Sequence, residues 1–419
     1  MPKERLDSWK NIAEYLERSL RTVQRWHAYH GLPVRHFGGS KGSVFAYTDE
    51  IDRWLISLSE ESRVAPLGED EALELRKKRS LELSASADQM WEARSEGNIQ
   101  TISGLYRKAI DEDLGNGAAL VGLANAMVFC AIHGVMEGAV AYPRAQDALQ
   151  RLAPADAASP GARCAAAWVS LVFERNWRQA QAGFDDALSR QPWMSFAVSG
   201  RSMLYAAEGN LEQAAACAWE AWKKNPLACS LGALLCWIHY LSKDLEQALD
   251  LARQVRASGG WGGIAATVEA LSLLQTGSIA ARIKSLEAIA GEFPENQTLR
   301  GALGSGYAMA GQTDRAEEML GEMERMGEFK RRNSGYALAL IALALDRRAE
   351  AIKWLEIAYE EGVLWSLAFQ SDPILLPLHG DPRFEALLRK AAPGLGKGLL
   401  SARPEPAESE ASSTVVEAV

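Results

Sequence analysis

The residues best suited to chemistry lie close to the N-terminus, where arginines recur at short intervals. Arg18, Arg21 and Arg25 are interleaved with Thr22 and Gln24. A guanidinium group can form paired hydrogen bonds with phosphates or with guanine, and glutamine can do so with adenine in the major groove. These side chains therefore predict contact with double-stranded DNA.

The charge distribution supports the same interpretation. Residues 16–45 contain five basic residues and one acidic residue, although the whole chain carries a net charge of −9. A local basic patch can meet phosphates, whereas the acidic remainder of the chain repels them. Contact with nucleic acid is therefore expected at the N-terminal patch.

Two short helices are predicted to position these side chains. The first has the i, i+3, i+4, i+7 spacing of one apolar face, with Trp9, Ile12, Ala13 and Leu16. Ser19 is a typical N-cap for the second helix, in which Leu20, Val23 and Trp26 share a face. Because that face is expected to enter the core, the polar and basic side chains are left on the outer face.

A small hairpin and a closing helix are predicted to follow Gly31-Leu32-Pro33. Residues 34–37 and 44–47 have the composition of two strands, and 38–43 form a glycine-rich turn between them. Arg35 and Lys41 would lie on this hairpin, where they suit contacts with the DNA backbone. Thr48 caps the last helix, with Ile51, Trp54 and Leu55 on its apolar side.

Helix, turn, helix, two-stranded wing and closing helix in about 50 residues resemble the winged-helix modules of MerR-like and excisionase-like regulators. The resemblance implies that 19–26 is a recognition helix and that 38–43 is the tip of a wing. The DNA-binding residues it implies, together with the face analysis, are Arg18, Ser19, Arg21, Thr22, Gln24, Arg25, Arg35 and Lys41.

One residue departs from the pattern of such modules. Glu17 stands in the turn between the helices, where glycine is usual. A non-glycine residue in a left-handed conformation costs about 1 kcal/mol, and a carboxylate also weakens the approach of phosphates. The alternative interpretation is therefore a helix-turn-helix fold that serves as a protein-docking piece and no longer binds DNA.

Two further patterns near the N-terminus have simpler explanations than a cofactor site. His27, His30 and His36 lack a fourth ligand for a metal ion. The stretch 38–43 lacks the spacing of a phosphate-binding loop. No metal and no cofactor are predicted.

The rest of the chain has a 34-residue period. Proline, glycine or glutamate recurs at this interval at Pro192, Pro226, Gly260, Pro294, Glu328 and Gly362. Alanine stands twelve residues before four of these positions, at Ala180, Ala214, Ala248 and Ala316. A helix-turn-helix repeat of this length, with small residues where its helices cross, is typical of tetratricopeptide repeats.

The predicted fold is therefore mainly α-helical, with a small winged-helix domain followed by an α-solenoid of tetratricopeptide helix pairs. The predicted domains are the winged helix at 1–58, a linker at 59–71, the repeats at 72–362, a cap at 363–392 and a disordered tail at 393–419. Six repeats are in phase from about 161 to 362, and two less regular pairs precede them.

The repeat pattern also predicts which side chains face the concave surface. First-helix positions that face inward hold Phe196, Ser199, Met203, Trp237, Tyr240, Leu271 and Leu274. Phe196, Met203, Trp237 and Tyr240 are the candidate contacts for a protein or peptide partner. A role in core packing is the alternative for each of them.

No motif in the chain points to catalysis. A nucleophile elbow, a zinc-protease motif, a Walker loop and the kinase motifs are all missing from the sequence. The five cysteines form no Cys-x-x-Cys pair, and no apolar run reaches the roughly 20 residues of a membrane span. The expectation is a non-enzymatic cytoplasmic regulator that binds DNA and a protein partner. A homodimer is compatible with this expectation, because a small module binds DNA weakly alone.

Overall fold

The computed structural model describes residues 4–36, 44–61, 69–91, 94, 97–226, 228–258 and 262–391. The predicted wing tip and the predicted tail lie outside these described residues. The chain forms two compact units, 1–76 and 77–419.

Up to residue 61, the described part of the N-terminal unit forms three helices and three short strands. In chain order these are β1 Arg5–Leu6, α1 Trp9–Tyr15, α2 Leu20–His30, β2 Arg35–His36, β3 Val44–Tyr47 and α3 Thr48–Glu61. The strands form one antiparallel sheet in the order β1-β3-β2. Strand β1 was not predicted, and it pairs with the edge of β3 that the hairpin leaves open.

The core of the N-terminal unit follows the apolar faces predicted for its helices, except at Leu20 and at Leu55, which is 38% exposed. Ile12, Val23 and Ile51 are fully buried, and Val44 joins them from the sheet. Leu20 is 46% exposed, so the prediction that it enters the core is wrong. As the first residue of α2, it lies at the rim of the unit, where only the residues one and two turns later reach the core.

The turn between α1 and α2 has the conformation that the sequence predicts. Glu17 has a φ of +50°, in the left-handed region that favours glycine. The cost of placing a Cβ there is about 1 kcal/mol. The turn is therefore a local source of strain in the N-terminal unit.

Replacing Glu17 by glycine is expected to stabilise this unit by about 1 kcal/mol, because the left-handed conformation is no longer strained. Native-state hydrogen exchange of amides in α1 and α2, in the full chain, measures the change. Glu17→Ala is the matched control, since it removes the carboxylate and keeps the Cβ. Equal exchange in the two variants would show that charge, and not backbone strain, sets the cost.

Both ends of the predicted linker, 59–71, belong to helices in the structure. Residues 59–61 belong to the end of α3, and 69–71 begin the long helix α4, Glu69–Trp91. The division between the two units falls within α4.

The C-terminal unit is an α-solenoid of helix pairs. Two pairs come first, α4 with α5 Ile99–Glu112, and α6 Gly117–Ile132 with α7 Gly138–Gln150, and a short helix α8 Pro154–Ala157 follows. The six pairs in phase are α9 Pro160–Val172 with α10 Trp177–Arg190, α11 Ser195–Ala207 with α12 Leu211–Lys224, α13 Cys229–Leu241 with α14 Leu245–Ala257, α15 Gly262–Leu274 with α16 Ile279–Glu292, α17 Gln297–Met309 with α18 Thr313–Glu324, and α20 Gly335–Ala344 with α21 Arg348–Glu361. An extra helix, α19 Glu328–Asn333, precedes the last pair. Of the described helices, none is both long and apolar enough to cross a membrane.

The predicted register of the repeats is confirmed at the residues that define it. Pro192, Pro226 and Pro294 each lie two residues beyond the end of a second helix. The four alanines of the repeat, Ala180, Ala214, Ala248 and Ala316, are all fully buried. Since a larger side chain would force the paired helices apart, alanine is the residue that this crossing requires.

The array curls until its first in-phase repeat touches its last. Arg175, between α9 and α10, donates a hydrogen bond to the carbonyl oxygen of Tyr359 at the end of α21. Its guanidinium also lies 4.1 Å from the centre of the Tyr359 ring. A Cβ added at Gly134, after α6, would lie 3.2 Å from Cβ of Asn333. These contacts close the superhelix around an inner channel.

The segment after α21, predicted as a cap, contains one α-helix and two shorter elements. Two 3-10 helices, Leu364–Ala368 and Pro373–Leu378, precede α22, Pro382–Ala391. Helix α22 packs against α21 and buries Phe384, Leu387 and Leu388. The 3-10 helices instead lie on the inner face of the array, where the first contacts α11.

Candidate interaction sites

The outer face of α2 presents the side chains predicted to read DNA. Arg21, Gln24 and Arg25 are exposed. In the part of the chain that the structure describes, no carboxylate oxygen lies within 4.0 Å of either guanidinium group. Both charges are therefore available to an anionic partner.

Three other predicted DNA contacts have local structural roles. Ser19 caps α2, and its hydroxyl oxygen accepts a hydrogen bond from the Thr22 amide at 3.2 Å. The hydroxyl groups of Ser19 and Thr22 are also hydrogen-bonded to each other at 2.8 Å. Arg18 donates to the carbonyl oxygen of Glu17 at 3.2 Å. Ser19 thus provides a hydrogen-bond acceptor for the Thr22 amide in the first turn of the helix. All three residues remain near the surface of the unit.

Arg35 and Lys41 are the two residues predicted to contact DNA from the hairpin. Arg35 forms an ion pair with Glu50 at 2.8 Å and lies over the Tyr47 ring at 5.6 Å. Its charge is thus partly balanced within the unit. Lys41 lies outside the described residues.

The inner face of the array positions the four predicted partner contacts. Phe196 stacks on Trp168, with ring centres 4.8 Å apart, and Met203 is half-buried beside them. Trp237 and Tyr240, both on α13, are buried. The other three inward positions, Ser199, Leu271 and Leu274, are buried as well.

Trp237 and Tyr240 are covered by the chain's own residues 364–378, here called the inner segment. The Tyr240 hydroxyl donates to Asp372 at 2.6 Å, and the Tyr336 hydroxyl of α20 donates to the other oxygen of the same carboxylate. Trp365 stacks on Tyr336, with ring centres 5.5 Å apart, and meets Trp237 edge-on. One carboxylate thereby links the third repeat to the sixth.

The surroundings of Asp372 change the ionisation of all three groups. Burial raises the pKa of the Asp372 carboxyl, although hydrogen bonds from the two tyrosines and from the Ile374 amide oppose this effect. Burial, together with the Asp372 charge, raises the pKa of Tyr240 and Tyr336 well above the usual value. Both phenols therefore remain protonated donors at neutral pH.

The inner segment leaves part of the channel open. A cavity of about 690 Å³ lies beside Trp365. Its lining includes the apolar side chains of Ile132, Val135, Ile264 and Leu364. Polar and charged side chains also line it, among them Gln100, His133, Thr267, Glu295, Asn296, Gln297, Glu328, Lys330 and Asn333. A concave site that combines apolar surface with polar groups can hold a ligand.

Arg94 is an inner-face residue that the sequence analysis missed. It is 2% exposed, and its guanidinium lies 4.2 Å from the centre of the Trp91 ring and 5.1 Å from that of Phe196. Burial, with the Arg94 charge, lowers the pKa of the neighbouring His133 to about 3, so this histidine is neutral. Arg94 precedes the six in-phase repeats. The 34-residue period therefore could not identify it as an inward-facing position.

No family model and no curated protein match the chain. Among solved structures, the APC/C hetero-tetramer Cut9–Hcn1 is 16% identical over 82% of this chain and 59% of the other, with a TM-score of 0.46. The chain therefore spans less than two thirds of the length of that protein.

Two further solved structures are also similar at low identity. A tetratricopeptide repeat protein from Parabacteroides merdae is 14% identical over 71% of this chain and 99% of its own, with a TM-score of 0.37. Yeast Tom70 is 12% identical over 90% of this chain and 82% of its own, with a TM-score of 0.40. Matches at this identity assign no family to the chain.

Proposed function

We propose that the chain is an interaction scaffold whose repeat array binds a protein partner through its inner channel. The observation that carries this proposal is the cavity of about 690 Å³ beside Trp365. Its lining offers amide groups for the backbone of an extended peptide and apolar surface for the peptide's side chains. Gln100, Gln297 and Asn333 supply the amides, and Ile264 contributes to the apolar surface. The Gln297 and Asn333 amides each donate one hydrogen bond to a carbonyl oxygen of the array, and each keeps a second N–H.

Selection of peptides from a displayed random library on the immobilised full chain tests this proposal. A recurring sequence motif is expected among the retained peptides. Ile264→Lys, which places a charge among the apolar residues that line the cavity, is expected to weaken their binding about tenfold or more. Val140→Lys is the matched control, because Val140 is a partly exposed residue of α7 that does not line the cavity. Failure to enrich any motif, or equal binding by both variants, would contradict the proposal.

DNA binding by the N-terminal unit is a second candidate function, favoured by the exposed arginines of α2. Arg21 and Arg25 flank Gln24 on the outer face of the helix that follows the turn. The N-terminal end of a helix also carries a partial positive charge that favours phosphates. Both features are what a recognition helix needs in the major groove.

Removing one guanine-pairing arginine is expected to cost about 1–3 kcal/mol and to relax sequence preference at one position. Selection of sites from a random DNA pool by the full chain provides the target, and a palindromic site would indicate that two copies bind. The double variant Arg21→Ala, Arg25→Ala should then lose binding. Arg53→Ala is the matched control, since Arg53 is an exposed arginine on α3.

Lys41→Ala is expected to weaken binding about equally for every sequence and to lower the salt slope by about one. No enriched DNA sequence, together with unchanged binding by the double arginine variant, would leave the scaffold as the sole function of the two.

A further inference from the structure

The inner segment is buried against the array almost entirely through apolar contacts. Leu367, Phe369, Leu375 and Leu378 are all buried. The side chains that it meets include Trp237 on α13 and Tyr336 on α20. The same inner face carries the predicted partner contacts Trp237 and Tyr240, which the segment covers.

The hydrogen bonds of the inner segment are almost all internal. The amides of Ser366, Ser371 and Leu375 donate to Val363, Ala368 and Asp372 respectively, as is usual in 3-10 turns. Among the described residues, no backbone hydrogen bond joins 364–378 to a repeat helix. The polar links between them are those from Tyr240 and Tyr336 to the Asp372 carboxylate. Undocking would therefore leave the segment's internal backbone hydrogen bonds intact. It would break the contact of the Asp372 carboxylate with the two tyrosines, together with the apolar contacts that bury the segment.

Both ends of the inner segment adjoin glycines in the left-handed region. Gly362 has a φ of +72° where α21 ends, and Gly380 has a φ of +90° before α22 begins. The open cavity lies directly beside Trp365 and Leu364. The first residues of the segment thus line the open cavity, and a glycine with a freely adaptable backbone lies just outside each end of the segment.

We propose that the inner segment is an intramolecular occupant of the array's peptide site, and that a protein partner binds by displacing it. The partner is a peptide that presents the same chemistry, namely an aromatic side chain for Tyr336 and Trp237 and, seven residues later, a carboxylate for Tyr240 and Tyr336. This inference rests on the proposed scaffold function and adds where the partner binds and what it must carry. Because the segment is part of the same chain, its effective concentration at the site is high. A free peptide therefore competes poorly until the contacts that dock the segment on the array are weakened.

A labelled synthetic peptide that copies residues 362–380 tests this inference. It is titrated by fluorescence anisotropy against the full chain and against the full-length double variant Trp365→Ala, Asp372→Ala. The variant is expected to bind the peptide at least about tenfold more tightly than the wild type does, a difference of about 1.4 kcal/mol. A peptide with alanine in place of its aspartate is the matched ligand control and should lose this advantage. Adding Tyr240→Phe and Tyr336→Phe to the variant should remove it as well.

Equal binding by the wild type and the double variant, with helix content unchanged in circular dichroism, would overturn the inference. A measurement on the wild type covers the case in which the variant fails to fold. The amides of Ser366, Ser371 and Leu375 are expected to exchange with solvent at least about tenfold faster than the buried amides of α20 and α21, because the segment opens while the repeats stay folded. Exchange at the same rate as α20 and α21 would overturn the inference.

The two proposals fail in distinguishable ways. Library peptides whose binding depends on Ile264 but is unchanged by Trp365→Ala, Asp372→Ala would leave the scaffold function standing and overturn the displacement of the inner segment. If neither library peptides nor the 362–380 peptide bind any form of the chain, both proposals fall.

Discussion

Replacing Gly301 by alanine is expected to lower the free energy of unfolding of the repeat array by about 3 kcal/mol, the upper part of the range for overpacked cores. A Cβ at this position would lie 2.6 Å from Cα, and 2.7 Å from the carbonyl oxygen, of Ala337 on α20. Both are backbone atoms, which cannot rotate away as the end of a side chain can. The added methyl group must therefore push α17 and α20 apart.

Gly104→Ala provides the matched control for this substitution. Gly104 lies inside α5, and a Cβ there would meet no atom within 4 Å. The same change is expected to stabilise the chain by up to about 1 kcal/mol, because glycine is a poor helix former. Urea denaturation followed by far-UV circular dichroism measures both variants. Effects of the same sign would contradict the close approach of α17 to α20.

Replacing Asp372 by alanine is expected to lower the free energy of unfolding by about 3 kcal/mol. The substitution leaves two buried tyrosine hydroxyls, those of Tyr240 and Tyr336, without their shared acceptor. Each unsatisfied buried group costs about 1–3 kcal/mol. Asp372→Asn should cost less, because its amide oxygen can still accept a hydrogen bond. A loss as large for asparagine as for alanine would argue against a hydrogen-bonding role.

The pH dependence of this contribution has a defined sign. The folded-state pKa of Asp372 is raised by burial, so the fold favours the protonated carboxyl. Its contribution to stability is fully present below the unfolded pKa of about 4 and is lost as the pH rises through the raised folded pKa. Asp372→Asn carries no charge at any pH. The difference in unfolding free energy between wild type and Asp372→Asn is therefore expected to shrink from pH 4 towards neutral pH, and a constant or growing difference would contradict the effect of burial.

Features encoded by short-range patterns were predicted from the sequence. The 34-residue period placed Ala180, Ala214 and Pro226 correctly, because helix crossings and helix ends impose a residue type at a fixed phase. Glu17 was identified as the turn residue for the same reason, since turn chemistry involves neighbours along the chain. Leu20 was placed wrongly because helical periodicity gives the face of a residue but not whether its turn reaches the core.

The inner segment was predicted only as part of a terminal cap, and its place inside the channel was not foreseen. Asp372 is 132 residues from Tyr240 in the chain, and its contact with Tyr336 depends on how far the superhelix curls. No local pattern encodes that curvature, which sums small rotations over several repeats. The candidate partner contacts Trp237 and Tyr240 were thus identified as inward-facing, but their intramolecular neighbours required the structure.

The closure between Arg175 and Tyr359 has a consequence for how the array folds. In an open solenoid each repeat contacts only its neighbours, so stability is roughly additive and the ends can fray independently. Here a hydrogen bond spans 184 residues and ties the first in-phase repeat to the last. Such a contact forms only after a long loop has closed, which slows folding relative to an open array of the same length. The same contact couples the first in-phase repeat to the last, so we expect the six in-phase repeats to unfold more cooperatively than those of an open array.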